Sequence, residues 1–460
     1  MKLARLRREF HEPLPAVILA AGLGHRLRPG NGGVAKPLTP LLGLTLLERA
    51  ILSCREVGVE TCYVVTGCEK EKMIPHLKEL EWQAGMTIRM IENPEWERGN
   101  GISVLTAAPY LNGPFLLLMC DHVFDPEILR CLLAARNGMG GSLLAVDRRT
   151  DAVFDLQDAT KVQVDGGRII TIGKKIASYN AIDAGLFLCQ PHLFEALRKS
   201  RREGDDTLTG GIRQLVATGE IEAMDIGDRF WIDIDTGEDL SQAKVRLLAG
   251  LSKPDEDGFI ARSVNRPLSR WLSERLARTS LTPNAITLGS FLICLSGAVA
   301  FGGGGYLWNL LGGLLIQVAS VVDGCDGELA RLKFLGSRFG GWLDTVLDRY
   351  ADVAIVAGIC YGQWLATPTP GVWFGGLAAA SGFVLASYMK KEYTLRYGHK
   401  LPGSVVERLL KRDMRLFVLF AAALLNRPFE ALMLTGLLTH LGIGWTLLGV
   451  YRGERRPQNR

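Results

Sequence analysis

Asp323-Gly324-Cys325-Asp326-Gly327-Glu328-Leu329-Ala330-Arg331 is followed, eight residues on, by Gly340-Gly341-Trp342-Leu343-Asp344-Thr345-Val346-Leu347-Asp348. Apolar sequence, 306–322 and 349–361, flanks the pair on both sides. On helices, the i,i+3 spacing puts Asp323 and Asp326 on one face, and the i,i+4 spacing does the same for Asp344 and Asp348. The short connection lets the two faces meet. Four carboxylates in near-membrane helices are costly unless something cationic sits among them. Two divalent cations would satisfy them, and Gly327 and Gly340 would leave room for a ligand beside the helices. The bland reading, solvated loop carboxylates, does not fit the apolar surroundings.

Six long apolar segments surround or contain this stretch: 284–301, 306–322, 341–361, 372–389, 416–425 with its flanks, and 429–450. Most are of bilayer-spanning length. The loops 301–306 and 363–371 carry no charge. The others carry Arg331, Lys333 and Arg338; Lys390, Lys391, Arg396, Lys400, Arg408, Lys411, Arg412 and Arg415; and Arg452, Arg455 and Arg456. Positive charge marks the cytoplasmic side. The pattern predicts an all-α domain of six transmembrane helices in the inner (plasma) membrane, with both termini and the acidic stretch cytoplasmic. Ahead of it, 266–280 reads as an amphipathic interfacial helix, with Leu268, Trp271, Leu272, Leu276 and Leu281 on one side and Arg270, Arg275 and Arg278 flanking. The basic stretch from Lys390 to Arg415 admits two readings. It is a positive flank attracted to anionic lipid, or it grips the phosphate of an acceptor. Arg412 and Arg415, at the entry to the fifth span, are the residues best placed for the second.

At 460 residues the chain exceeds one ordinary domain, and 48% hydrophobic with 22% charged residues excludes a disordered chain. Residues 262–460 carry 22 Lys+Arg and 12 Asp+Glu, a net of +10, leaving 31 and 36, a net of −5, in residues 1–261. The overall +5 therefore gives no reason to expect nucleic acid, and the basic half points to a membrane surface. The nine cysteines form no Cys-x-x-Cys pair, which predicts reduced thiols rather than a disulfide frame or zinc site. The charged N-terminus lacks the apolar stretch of a signal peptide. The polar stretch 253–258 marks a boundary, giving domains 1–250 and 266–455 with a linker 251–265.

The first half reads as α/β. Strand-like runs at 16–20, 61–66, 87–92, 115–119, 142–146 and 184–189 alternate with helical patterns such as 46–57 and 126–135. This predicts a doubly wound, mostly parallel sheet that binds ligands at the carboxyl ends of its strands. After the first strand stand Gly22, Gly24, Arg26 and Arg28, then Lys36-Pro37-Leu38. Glycines let backbone N–H groups approach a phosphate chain, and Arg26 and Lys36 add charge where a triphosphate sits and pyrophosphate leaves. A tight turn alone would not explain the cations. It is neither a Walker loop nor a dinucleotide fingerprint. Asp121 ends the strand 115–119, and Asp233 and Asp235 share a face of a short strand in Trp231-Ile232-Asp233-Ile234-Asp235-Thr236. Singly each reads as a cap or turn residue; jointly they suit a cation between carboxylates.

Two family resemblances rest on these residues. The run LAAGLGHRLRP with KPL resembles nucleotidyltransferases that join a nucleoside triphosphate to a sugar or alcohol phosphate, with Ala35 where Pro usually precedes the Lys. The resemblance implies that Asp121 and Asp235 bind Mg²⁺. Asn93-Pro94 and Gly99-Asn100-Gly101-Ile102-Ser103 resemble the base and ribose contacts of cytidylyltransferases. Lys174, Lys175, Asn180 and Asp183 are candidates for contact with the alcohol phosphate, or are solvated loop residues. The acidic stretch matches D-x2-D-G-x2-A-R-x8-G-x3-D-x3-D, the signature of the CDP-alcohol phosphotransferase family, and Leu281-Thr282-Pro283-Asn284 resembles the family's entry into the first span. This implies Mg²⁺ (or Mn²⁺) and the CDP diphosphate on Asp323, Asp326 and Asp344, and Asp348 as general base and metal neighbour. It also implies nucleotide contacts from Gly327 and Arg331, and a homodimer through the membrane domain; Asp352 lies outside the signature. The resemblances imply two metal sites in the membrane domain and one or two in the other. Fused, the halves resemble bifunctional enzymes with inositol-1-phosphate cytidylyltransferase and di-myo-inositol-phosphate-phosphate synthase activities. The expected substrates are CTP and inositol 1-phosphate, with a CDP-alcohol between the steps. The alternative is a phospholipid or other polyol phosphodiester as product, with a membrane lipid as acceptor.

Overall fold

The computed structural model describes residues 14–454 except 23, 28–32, 137–139, 153–155, 253–257, 400 and 402–410. Most of the expected polar boundary, together with Arg28, Lys400, Arg408, Arg455 and Arg456, lies outside the described residues. The chain forms two compact units, Met1–Arg246 and Leu247–Arg460.

The first unit is built on a sheet of nine strands: β1 (Ala16–Ala20), β2 (Thr61–Thr66), β3 (Thr87–Glu92), β4 (Phe115–Met119), β5 (Ser142–Asp147), β6 (Lys161–Asp165), β7 (Arg168–Gly173), β8 (Ala181–Cys189) and β9 (Ile221–Asp225), in spatial order β3-β2-β1-β4-β8-β5-β9-β7-β6. β1, β4 and β5 are buried along nearly their whole lengths, as continuous apolar runs should be in a sheet covered on both faces. The helices Leu46–Glu56 and Glu127–Ala135 stand where the helical pattern puts them, the first opened by a Thr45/Glu48 capping box.

The sheet is parallel from β3 to β4 and between β5 and β9, and antiparallel elsewhere. β8 runs antiparallel to both β4 and β5. It also pairs antiparallel with β6, as β7 does, so β7 and β8 run in the same direction. The reversal has a consequence for the site. The start of β8, Asp183 and Ala184, comes to lie at the carboxyl end of β4, next to Asp121. A second short pairing sets Trp231–Asp233 antiparallel to His122–Phe124, with Asp233 opposite His122.

The second unit is helical: α1 (Arg266–Leu276), α2 (Pro283–Gly302), α3 (Tyr306–Leu332), α4 (Arg338–Ala366), α5 (Pro370–Tyr397), α6 (Arg412–Leu424) and α7 (Pro428–Glu454). Thr282 caps α2, with Pro283 at the first helical position, and Ser337 caps α4 through the Gly340 amide. The six expected apolar helices are present. Four of them, α2, α3, α5 and α7, are long and apolar enough to cross a bilayer. α4 has the length, but Asp344, Asp348, Arg349 and Asp352 crowd its first half, and α6 has 13 residues.

α1 packs through its polar side and leaves its apolar side exposed. Leu268 and Trp271 are exposed, with Arg275 stacked on Trp271, while Ser269 and Ser273 are buried. Both serine hydroxyls donate to Glu328 of α3, at 2.7 Å each, and Arg266 pairs with the same carboxylate at 2.8 Å. An apolar outer face on a helix tied down by its polar side suits the membrane–water boundary.

α4 meets α2 backbone to backbone. A Cβ on Gly358 would stand 2.0 Å from the Ala298 carbonyl oxygen, and one on Gly362 2.2 Å from that of Phe301. Small residues permit such close packing in membrane bundles. Gly358→Ala should therefore push α2 and α4 apart and destabilise the unit by about 1–3 kcal/mol. A lower thermal unfolding midpoint in detergent would register it, and an unchanged midpoint would contradict the packing described.

Candidate functional sites

The first site lies at the carboxyl ends of β1 and β4, in a cavity of about 650 Å³ lined by Arg26, Asn100, Asp121, His122, Asp233 and Asp235 among others. Gly24 has φ +61°, and a Cβ there would sit 2.4 Å from the Cβ of Lys36, so the glycine turn is what lets the Lys36 stem pass. Lys36 is buried. Its Nζ lies 2.6 Å from Asp121 Oδ2, 2.7 Å from Asp235 Oδ1 and 3.9 Å from Asp233 Oδ1. Burial alone would lower its pKa, but the three carboxylates outweigh burial and hold it well above the ordinary lysine range. Arg26 reaches Asp235 Oδ2 at 2.8 Å and Asp158 Oδ2 at 2.6 Å, and Asp158 in turn pairs with Lys174 at 2.5 Å.

Asp121, His122 and Asp233 bring ligand atoms within 4.8 Å of one another. Asp233 Oδ1 is buried without a hydrogen-bond partner, and a divalent cation would satisfy it. Burial opposes a charged imidazole at His122, but Asp233 and Asp121 raise it to about 9. Asp235, chosen from sequence as the second ligand, lies outside this group and pairs with Lys36 and Arg26. Asp183 lines the same cavity, where burial pushes its carboxyl up to about 6.

Other expected contacts have structural work. Asn93 is buried and donates to Ser103 Oγ at 2.9 Å. Asn180 clasps the backbone of Val164. Gly99 and Gly101 let the helix Asn100–Ala107 pass within contact of the Asp206 carbonyl. Asn100 lines the cavity, and its side chain accepts from Leu208 N at 2.8 Å. Lys175 is exposed, and nothing within 4 Å of Gly22 would obstruct a Cβ.

The second site lies between α2, α3, α4 and α6. Asp323, Asp326 and Asp344 bring one oxygen each within 4.8 Å of the others. Thr287 Oγ1 donates to Asp326 at 2.6 Å and Ser290 Oγ to Asp323 at 3.2 Å, so α2 supplies hydroxyls that orient the α3 carboxylates. The Gly327 amide also donates to Asp326. Oxygen donors of this kind, converging from two helices, suit a hard divalent cation. Asp348 is held apart from the three by Arg412, whose Nη1 stands 2.6 Å from Asp348 and 3.3 Å from Asp323.

Asp352, which follows Asp348 by another four residues, is buried beneath them. It pairs with Arg412 at 3.2 Å, Arg349 at 2.9 Å and Arg415 at 3.4 Å. Arg415 is itself buried over the Phe383 ring, and its Nε and Nη1 have no hydrogen-bond partner. Arg331 Nη2 donates to the Leu251 carbonyl at 3.1 Å, and its Nη1 lies close over Gly327. A Cβ on Gly340 would press within 2.9 Å of Asn284 Oδ1. Sequence reading passed over His122 and Asp158 and left Asp352 unassigned. The signals were present in the adjacency of His122 to Asp121 and in the continuing i+4 row of α4.

Comparison with known proteins finds a family for each unit. Residues 16–219 match the MobA-like NTP transferase domain, and residues 280–447 match the CDP-alcohol phosphatidyltransferase family. Three relatives named bifunctional IPC transferase and DIPP synthase are similar over nearly the whole chain. The Rubrobacter xylanophilus protein is 37% identical over 96% of this chain and 98% of its own. The Aquifex aeolicus protein is 32% identical over 95% and 98%. That of Thermococcus kodakarensis is 33% identical over 97% and 99%. With both domains matched in one chain, the protein belongs to the family of bifunctional IPC transferases and DIPP synthases.

Proposed function

We propose that the chain runs a two-step cytidine relay. The first unit joins CTP to inositol 1-phosphate, giving CDP-inositol and pyrophosphate. The membrane unit then transfers phosphoinositol to a second inositol 1-phosphate and releases CMP. The observation that carries the reading is the presence, in one chain, of two separate acid-lined sites, each with its own basic residues.

In the first unit, the Gly22 and Gly24 loop would pass along the triphosphate. Arg26 and Lys36 would bind its charge and that of the leaving pyrophosphate, and Asn100 would stand beside the nucleoside. Asp121 leads the metal-binding residues. In the membrane unit, Asp323, Asp326 and Asp344 would hold cations, two in the fullest reading, with Gly327 and Arg331 beside the nucleotide. Asp348 would accept the proton of the attacking hydroxyl. Mg²⁺ or Mn²⁺ bound in either site would supply charge neutralisation at the diphosphate. Arg412, which lines the cavity beside Asp323, Asp344 and Asp348, and Arg415 behind it are the candidates to hold an acceptor phosphate.

We further read all six helices as spans. α4 then crosses with its charged half against its neighbours, and α6 crosses with the help of its flanks. Both termini and both sites would be cytoplasmic, in the inner (plasma) membrane, and pairing through the membrane unit would make a homodimer. Arg427, in the loop before α7, is a departure from the charge pattern. The linker 251–265 would divide domain 1–250 from domain 266–455.

Purified protein given CTP, Mg²⁺ and labelled inositol 1-phosphate should release pyrophosphate, then CMP, and leave the label in a water-soluble phosphodiester. Label extracted with lipid would replace this reading by a phospholipid synthase. Asp344→Asn, which keeps shape and removes charge, should abolish CMP release and spare pyrophosphate release. Lys36→Met should do the reverse, slowing pyrophosphate release about 10²–10³-fold while CMP release from supplied CDP-inositol continues. Loss of both activities in either variant would refute independent sites.

A further inference from the structure

The acidic row of α4 continues one turn past the signature to Asp352, a residue with no part in the chemistry proposed above. We propose that Asp352 is a positioning residue: it aims Arg412 into the membrane site and so makes that site select an acceptor that carries a phosphate, an inference that rests on the phosphoinositol-transfer reading above.

Asp352 does not itself reach the cavity. Arg412 lines it together with Asp323, Asp344 and Asp348, whereas Asp352, Arg349 and Arg415 lie outside the lining. The Asp352 side chain is only 4% exposed, yet three guanidinium groups converge on it. Its Oδ1 accepts from Arg412 Nε at 3.2 Å. Its Oδ2 stands 2.9 Å from Arg349 Nη1 and accepts from Arg415 Nη2 at 3.4 Å. One buried carboxylate needs one cation. Three make Asp352 the anchor of a basic cluster. Arg349 Nε and both Nε and Nη1 of Arg415 are buried without a hydrogen-bond partner. The cluster thus holds more N–H donors than Asp352 can meet, which suits an anion nearby.

The contacts fix the direction of Arg412. Asp352 takes the Nε edge of the guanidinium. Nη1 stands 2.6 Å from Asp348 and 3.3 Å from Asp323, and among the described residues Nη2 makes no hydrogen bond. The plane is held at one edge, and Nη2 is left for a ligand. A planar fork fixed in this way matches phosphate oxygens. Without its anchor the long side chain would regain its rotamers and could close on Asp348, the carboxylate assigned to proton transfer. Arg412 and Arg415 also stand in the first turn of α6, where positive charge opposes the helix dipole. Helix stability does not account for them there, and the partnership with Asp352 does.

The test uses the full-length protein in detergent with Mg²⁺. CMP release is followed while inositol 1-phosphate and CDP-inositol are varied in turn. Asp352→Asn should raise the KM for inositol 1-phosphate about 10–100-fold and leave that for CDP-inositol unchanged. Arg412→Gln should raise the same KM, and adding Asp352→Asn to it should change nothing further, because the aspartate acts through the arginine. A residue that only staples α4 to α6 would raise both KM values alike, lower kcat alone, or add its effect to that of Arg412→Gln, and any of these would overturn the proposal. Should Asp352→Asn fail to fold, the double variant Asp352→Asn with Arg349→Met, which removes one charge of each sign, takes its place and should show the same split. Inorganic phosphate separates the proposal from the reaction. Its binding is measured by calorimetry, and the part that Arg412→Gln abolishes should weaken about 10–100-fold in Asp352→Asn. That weakening in a protein that releases no CMP with inositol 1-phosphate would overturn the reaction and leave the positioning role standing. Phosphate binding indifferent to both substitutions would overturn the positioning role.

Discussion

Carboxylates gathered away from bulk water must be met by positive charge, and the layout of both units follows from that requirement. In the first unit a buried lysine stands among three aspartates, and an arginine ties one of these, Asp235, to Asp158. In the second, Arg412 bridges Asp323, Asp348 and Asp352. Removing one member of such a set leaves an uncompensated charge, which costs far more than the pair gains. The basic residues are therefore part of what lets the acidic sites exist, apart from anything they do to a substrate.

The second common element is close backbone approach. Gly24 admits the stem of Lys36, Gly185 the ring of His122, and Gly358 the carbonyl of Ala298. In each case a methyl group would collide with an atom that belongs to, or supports, a site. α2 illustrates the chain of causes. Its glycine-mediated contact with α4 brings Thr287 and Ser290 over the carboxylates of α3, and their hydroxyls orient Asp326 and Asp323.

Much of this was legible from the chain alone. Period-two and continuous apolar runs located β1 to β5 within a residue or so, because buried strands need apolar side chains on both faces. The acidic signature could be read because helical spacing converts i,i+3 and i,i+4 directly into a shared face. Thr282-Pro283 and Ser337, by contrast, were identified as caps only in the structure, where they satisfy free amides locally. The buried face of α1 was not legible either. Its leucines and tryptophan were read as the side toward the membrane interface, but nothing local showed that a single partner, Glu328, holds the serine side.

The sequence by itself determined most of the candidate groups and the local elements that present them, because strand and helix preferences act over a few residues. Tertiary structure decided which of those groups meet. The direction of β8 placed Ala184 and Gly185 beside His122, and the pairing of 122–124 with 231–233 chose Asp233 over Asp235 as its companion. Likewise α6 brought Arg412 and Arg415 onto a row of aspartates sixty or more residues earlier. Such meetings depend on chain reversals and helix crossings between distant segments, and no local periodicity encodes those.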